Sequence, residues 1–364
     1  MTNRFIRTSA IGLSAFVVLG ACGSETASPD STPDTSSAPL STEVELAANP
    51  CADVSGSITV YSGRGEKLVA DLYSQFTSDT GVAVEARYAD SGELAGQILT
   101  EGSSSPADVF FSQDAGALGA VAQAGLFTSL NEETLNRVPE EFRSTDDQWV
   151  GASGRLRVLV YNPTLVETPP TTIDELLDPS WEGRIGFAPT NASWQSFVTA
   201  LRVIRGEDAA RQWLEAFAAN NPVPFEKNAA IRDAVNDGQV AIGLVNHYYL
   251  YEKIAAEGAE AVVAKNQYLA PGDVGGLLNV AGAGVIGNSD NSAAAQCFVF
   301  YLTSDAAQEY FVTRTFEYPL APGISAYENL PSLEELDPPA IDLSDLISIA
   351  ETQELLADVG LLTL

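Results

Sequence analysis

The chain reads as an α/β protein of two lobes, each a mixed, mostly parallel sheet flanked by helices and joined to the other by two hinge strands. Three observations predict this. The 364 residues exceed one ordinary hydrophobic core, while 45% hydrophobic and 18% charged residues are normal for a globular chain. Short apolar strand patterns alternate with amphipathic helix patterns. Four polar turns each follow the end of a strand pattern, two in each half of the chain.

The first residues stand outside this fold. Arg4 and Arg7 precede an apolar run over 10–20, closed by Leu19-Gly20-Ala21-Cys22, which is the pattern of a secretory signal. A cysteine at that point resembles the lipobox of bacterial lipoproteins. The resemblance implies cleavage before Cys22, a lipid on Cys22 and a place on the outer face of the plasma membrane; the alternative is a plain cleaved signal. Residues 24–49 are rich in Ser, Thr, Pro, Asp and Ala, and carry too few large apolar groups to offset their ordering entropy, so they read as a tether. The expected division is signal 1–21, anchored linker 22–52, first lobe 53–154 with 278–328, and second lobe 155–277 with 329–364.

In the first lobe, Ile58-Thr59-Val60-Tyr61 predicts a strand and Ser62-Gly63-Arg64-Gly65 its turn. Leu68, Leu72 and Phe76, with Val69 and Tyr73, form a helical stripe that Thr80-Gly81 ends. A strand over 82–88, a helix over 91–102, a strand over 107–111 and a helix over 113–125 continue the alternation. Past the polar segment 131–148, strands are expected over 155–161 and up to 187, then helices over 192–205 and 207–219. Asn228 is placed as the N-cap of a helix through Val235, because its side chain can accept from the free first-turn N–H groups. The apolar run 240–245 is a strand, and Asn246 is placed as the N-cap of the helix that follows it. Tyr248 and Tyr249 then fall in that helix's first turn. The glycine-rich segment 276–286 reads as a strand returning to the first lobe, which helices over 292–303 and 305–313 cover. The acidic segment 330–364 is expected to be mostly helical and to pack on the second lobe.

With 18 Lys plus Arg against 49 Asp plus Glu, the net charge is −31, which excludes nucleic acid as a natural partner. Cys51 and Cys297 remain once Cys22 carries lipid. An exported chain keeps such a pair in an oxidising compartment, which favours a disulfide; the alternative is that Cys297 is a small buried hydrophobe.

The candidate site follows from position. Turns 62–65, 112–114, 190–193 and 246–249 each lie at the carboxyl end of a predicted strand, where open α/β sheets present ligand-binding groups. In a hinged two-lobe protein they face one cleft, and the helix N-termini there offer N–H groups to an anion.

These segments also resemble a known family. Val60-Tyr61-Ser62-Gly63-Arg64, Ser105-Pro106-Ala107-Asp108-Val109-Phe110-Phe111, Ser153-Gly154-Arg155, Trp181-Glu182-Gly183-Arg184, Ala188-Pro189-Thr190, Leu244-Val245-Asn246-His247-Tyr248-Tyr249 and Glu317-Tyr318-Pro319-Leu320 are similar to segments of the ferric-iron-binding receptors of bacterial ABC transporters, the transferrin-like periplasmic binding proteins. The resemblance implies Fe(III) as transported ligand, phenolates of Tyr248 and Tyr249 as metal ligands, and an ABC permease as partner of a monomeric receptor. It further implies a synergistic anion, phosphate or carbonate, held by residues matching Asn191, Ala192, Ser193, Asn228 and Asn246. One departure is marked: the family's histidine ligand falls at Gly65 and its glutamate ligand at Gln113. Nearby Glu66 and Asp114 are candidate substitutes, though each suits the first turn of a helix. Arg155 and Arg157 are expected at the hinge or surface rather than on the anion, with Arg155, like Gly65, Glu66, Gln113 and Asp114, a candidate residue of the cleft. His247 is expected to stand aside, since three successive residues of a helical turn cannot converge on one point.

Two other readings compete. A receptor of the same architecture for an organic solute or ferric chelate (a polyamine, thiamine, a siderophore-like complex) would not need the missing histidine and glutamate. An exported enzyme fits poorly, because the chain has a single histidine and lacks a nucleophile elbow, a zinc-ligand histidine pair and a phosphate loop.

Overall fold

A computed structural model describes residues 49–362. The expected signal, Cys22 and the tether as far as residue 48 lie outside the described residues. The first half of the fold is built from β1 (Ser57–Ser62), α1 (Glu66–Thr80), β2 (Ala83–Tyr88), α2 (Ser91–Glu101), β3 (Val109–Ser112), α3 (Ala115–Gln123), β4 (Phe127–Thr128) and the single turn α4 (Glu132–Leu135). α1 buries Val69, Leu72, Tyr73 and Phe76, the stripe its sequence shows, and ends at Gly81 in the left-handed conformation (φ 77°) that glycine adopts without penalty.

Strand β5 (Trp149–Tyr161) leaves this half and enters the second. There follow β6 (Ile185–Phe187), α5 (Ala192–Arg205), α6 (Glu207–Ala219), β7 (Val223–Pro224), α7 (Asn228–Asn236), β8 (Ile242–Asn246), α8 (Tyr248–Glu257) and β9 (Lys265–Gln267). β10 (Leu278–Ile286) returns the chain, and α9 (Ser292–Leu302), α10 (Asp305–Tyr310) and β11 (Tyr318–Pro319) complete the first half. The chain ends through α11 (Leu333–Leu336) and α12 (Ile349–Asp358).

The strand order is β2-β1-β3-β10-β5-β8-β6-β7. Parallel pairing is confined to the βα units, β1 with β2 and β3, and β6 with β7 and β8. β5 and β10 are antiparallel to every strand they pair with, so the sheet is mixed rather than mostly parallel at its centre. The reason is topological: these two strands carry the chain between halves in opposite directions and belong to no βα crossover. All of β5 except Tyr161 is buried, as expected of a strand covered on both faces.

Cys51 is bonded to Cys297, fastening the start of the described chain to the buried face of α9. The acidic C-terminal segment crosses both halves. Leu343–Ile347 lies on α3, and the segment's later part is held to α5, where Arg202 Nη1 donates to Ser348 O (2.8 Å) and Thr352 Oγ1 (2.7 Å). The approach to α3 depends on glycine. A Cβ on Gly116 would sit 2.5 Å from Leu346 O, and one on Gly119 2.3 Å from Ile347 Cγ2.

Gly116→Ala should therefore cost about 1–3 kcal/mol through overpacking against a backbone atom. Gly96→Ala, in the middle of α2 with nothing within 4 Å of the new methyl, should instead gain about 0.5–1 kcal/mol. Thermal or urea unfolding of the two variants measures both; equal shifts would remove close packing of the tail as the cause.

Candidate metal centre

β8 ends at Asn246, which is still in register with Arg157 of β5. The N-cap of α8 is therefore His247 rather than Asn246. In the same way Lys227, extended at φ −158°, caps α7 and Asn228 is its first residue. Each helix starts one residue away from the expected boundary, α7 one residue earlier and α8 one residue later, the latter because pairing with β5 keeps Asn246 in the strand. Tyr248 and Tyr249 do open α8. Tyr248 is buried, Tyr249 half-buried, and their rings stack with centroids 4.3 Å apart and planes at 27°. Burial raises both phenol pKa values, Tyr249 adds to the rise at Tyr248, and Arg155 pulls both back, joined by Arg64 at Tyr248. At neutral pH these are phenols, so a metal that bound them would have to displace their protons.

Arg155 is not at the surface. It is 1% exposed on β5, and Nε, Nη1 and Nη2 all lack a hydrogen-bond partner among the described residues. Arg157, two residues along and so on the same face of the strand, is also buried. Its Nη1 donates to Ser193 Oγ (3.3 Å) and its guanidinium lies 5.3 Å from the centre of the Phe197 ring. Burial lowers its pKa to about 9, with Tyr249 opposing and Arg155 adding to the fall. An unpaired buried charge is costly, so two cationic side chains on one strand face mark a place that favours negative charge.

The expected anion residues are brought together around the start of α5. Asn191 caps that helix, its Oδ1 accepting from Ser193 N (3.1 Å) and Ser193 Oγ (2.6 Å). Asn228 Nδ2 donates to Ser193 Oγ (3.1 Å) and Asn191 Oδ1 (3.3 Å). Ala192 is the first residue of α5. Asn246 stands apart from this network, and its Oδ1 is buried without a partner among the described residues, like Asn228 Oδ1.

The first half contributes differently from expectation. Gly65 and Glu66 are exposed, and a side chain added at Gly65 would meet open space. Gln113 is half-buried and its backbone N–H donates to Ser91 Oγ (2.8 Å). Asp114 is committed as the cap of α3, accepting from Ala117 N (3.0 Å); burial raises its carboxyl, with that cap bond and Arg155 opposing. The residue that the sequence did not single out is Glu317. Its buried carboxylate lies 2.9 Å from Arg64 Nη2 at each oxygen, and Oε2 also accepts from Ser153 Oγ (2.9 Å) and Thr315 Oγ1 (3.0 Å). Arg64 and Glu317 are 253 positions apart, so only their presence in two recognisable motifs could have hinted at the pair. Glu252, one turn past Tyr248, was also missed; burial raises its carboxyl to about 7.

His247 has both ring nitrogens engaged by backbone, with Leu156 N–H donating to Nδ1 (3.1 Å) and Nε2 bonded to Phe316 O (2.8 Å). Burial lowers its pKa to about 4. Among the described residues no group of three or more His, Cys, Asp or Glu side chains is placed to hold a metal.

A family profile described as bacterial extracellular solute-binding protein matches residues 104–341. The chain belongs to that family. The solute-binding protein is 34% identical over 314 residues to the Fe(3+)-binding periplasmic protein of Serratia marcescens, covering 85% of this chain and 92% of the relative. It is 32% identical to a major ferric iron-binding protein of Neisseria meningitidis, over 84% of this chain and 93% of the relative. Among solved structures, iron-bound HitA of Pseudomonas aeruginosa superposes with a TM-score of 0.80 at 34% identity, covering 84% of this chain and 99% of that one. A Trichodesmium protein (IdiA, FutA) in complex with iron and citrate ligands gives 0.73 at 30%, covering 84% and 100%. These relatives are binding proteins, not enzymes, and the two-lobe architecture expected from the sequence is theirs.

Two stability predictions follow from the buried polar groups. Arg64→Met should cost about 3–5 kcal/mol, because it leaves Glu317 charged and buried, and Arg64→Met with Glu317→Gln should recover part of that loss. Denaturant unfolding of the single and double variants checks it. For His247, whose ordinary value is 6.5, the unfolded chain binds a proton that the folded one refuses between about pH 6.5 and 4. Stability should fall through that window by up to about 3 kcal/mol on acidification and be indifferent to His247 above it. Glu252, raised in the fold, binds its proton more tightly there and slopes the other way up to about pH 7. The wild type should therefore be compared with His247→Gln, which should lose the acid limb.

Proposed function

We propose that this solute-binding protein captures Fe(III) in the cleft between its halves, with Tyr248 and Tyr249 as phenolate ligands, and delivers it to an ABC permease from the outer face of the plasma membrane, held there by a lipid on Cys22. The observation that carries this reading is the stacked tyrosine pair at the start of α8 beside the unpartnered guanidinium of Arg155. Fe(III) is hard and trivalent, and among common cations it is well suited to displacing protons from phenols whose pKa burial has raised. Its relatives named above bind ferric iron, which supports the same cargo here.

The charge distribution supports a synergistic anion. Two phenolates leave Fe(III) with net positive charge, and Arg155 and Arg157 add to it. Phosphate or carbonate at the start of α5, near Ser193 and Asn228, would neutralise that charge and fill coordination positions that Gly65 and Gln113 leave open. Arg155 thereby takes the role of anion partner, reversing its assignment from sequence. A receptor for an organic solute is the second reading, favoured by Gly65 and Gln113 standing where the resemblance places a histidine and a glutamate ligand.

Titration of the purified protein with Fe(III), with and without phosphate or carbonate, should saturate near one equivalent and raise a visible phenolate-to-iron absorption band that depends on the anion. Tyr248→Phe with Tyr249→Phe should abolish the band. Arg155→Met should keep the band but blunt its response to anion. A colourless titration that still shows tight binding of an organic solute would favour the second reading.

A further inference from the structure

We infer that His247 is a positioning residue for the tyrosine pair, an inference that rests on the ferric reading and adds to it the device that aims the phenols. The pairing of β5 with β8 runs Val158 with Val245 and Arg157 with Asn246, so Leu156 and His247 come next in register. Arg157 N–H turns to Leu277 O (3.0 Å), away from β8, which makes Leu156 opposite His247 a position where both backbone bonds would be exchanged. Half of that exchange is present: His247 N–H donates to Leu156 O (2.9 Å). The other half is made by the side chain. Leu156 N–H donates to His247 Nδ1 (3.1 Å), where a continuing strand would offer its carbonyl.

The carbonyl of His247 has left the ladder and accepts from Asn266 Nδ2 (2.8 Å). The backbone of His247 is already helical, at φ −58° and ψ −39°. The imidazole thus closes the last rung of the sheet while the main chain turns away into α8. Without that substitution the strand would have to run one residue further, or Leu156 N–H would lose its partner inside the core. Tyr248 and Tyr249 start at the sheet's edge because their predecessor can be strand-like through its side chain and helical through its backbone.

The second nitrogen fixes the ring. Since Nδ1 faces an N–H, the proton sits on Nε2 and is donated to Phe316 O (2.8 Å). Leu156 O, 3.3 Å from Nδ1, is already occupied by the His247 amide. Phe316 is a non-glycine residue in the left-handed region (φ 56°, ψ 28°), held there by packing on Tyr327 and Tyr251 with ring centroids 5.0 and 6.2 Å away. The next residue is Glu317, which holds Arg64. One strained dipeptide therefore supports both the tyrosine turn and the cation beside it. The His247 ring also packs edge-on to Tyr248 (5.9 Å, 87°) and against Tyr318 (4.9 Å, 51°).

The test compares His247→Asn, His247→Gln and His247→Phe with wild type. Asn retains an acceptor near Nδ1, Gln a donor that reaches toward Phe316 O, and Phe the bulk with neither. Each protein is loaded with ferric citrate, and the visible spectrum per bound iron and the rate of iron release to EDTA are recorded, with circular dichroism as the check on folding. His247→Phe should release iron about 10- to 100-fold faster, the range for losing a group that orients a metal ligand, and its band should shift. Asn and Gln should fall between. Folded variants with wild-type spectra and release rates overturn the inference while leaving the tyrosine site intact. If His247→Phe does not fold, Asn and Gln decide. A wild type that shows no band at all overturns the ferric reading, and the positioning role falls with it.

Discussion

One strand has to satisfy two sheets. The thirteen residues of β5 pair with β10 and β11 in the first half and with β8 and β9 in the second, so any backbone group left over at the junction lies in the core. Arg155, Leu156 and Arg157 occupy that junction. Alternation along the strand puts the two arginines on one face, buried, and Leu156 between them. The backbone needs of Leu156 are met by His247, and among the described residues no side-chain carboxylate is bonded to either arginine. The arrangement of the candidate site follows from these two facts. The tyrosines begin where the imidazole ends the ladder, and the groups of α5 and α7 proposed to hold an anion gather where Arg157 reaches Ser193.

Burial and charge act against each other here in a way that suits a proton-linked metal site. Buried phenols hold their protons tightly, and the neighbouring guanidiniums weaken that hold only in part. On the proposed reading a cation of high charge would shift the balance, and an anion arriving with it would answer the arginines. Arg64 is excluded from this exchange because Glu317 neutralises it. Its role in the proposed mechanism is to be a fixed, paired charge beside the tyrosines, held by the same dipeptide that holds His247.

Much of this was legible in the sequence and the remainder has identifiable reasons. The βα alternation, the stripe of α1 and the placement of Tyr248 and Tyr249 at the opening of a helix follow from periodicity, which records local structure. Caps were displaced by one residue at Asn228 and Asn246, the second because the end of a strand is set by its partner strand and not by its own residue types. Arg155 read as a hinge or surface residue, and as a further candidate for the cleft, because arginine is usually exposed; its burial comes from coverage of β5 on both faces, which depends on segments far away in the chain, such as Glu317, 164 positions from Ser153. The pairing of Arg64 with Glu317 and of Leu156 with His247 are likewise tertiary facts. The signal available for His247 was its uniqueness and its position between strand and helix; helical geometry set it aside as a ligand, and what the sequence did not show is that its chemistry suits a hinge between two kinds of secondary structure.

The asymmetry of the cleft has a consequence for release. Gly65, Glu66 and Gln113 place no committed donor from the first half in the tyrosine cleft, and Asp114 is spent on its helix cap. On the proposed reading, then, every protein ligand to iron comes from the second half, on one short turn. Separation of the halves would break no iron–protein bond, and would act on the cargo by admitting water to the anion and to Arg155. Affinity in such a site is governed by the anion and by solvent access more than by the number of protein ligands. On the same reading, weak protein coordination would be offset by a turn held in place by its predecessor, and every polar atom of His247 is in use.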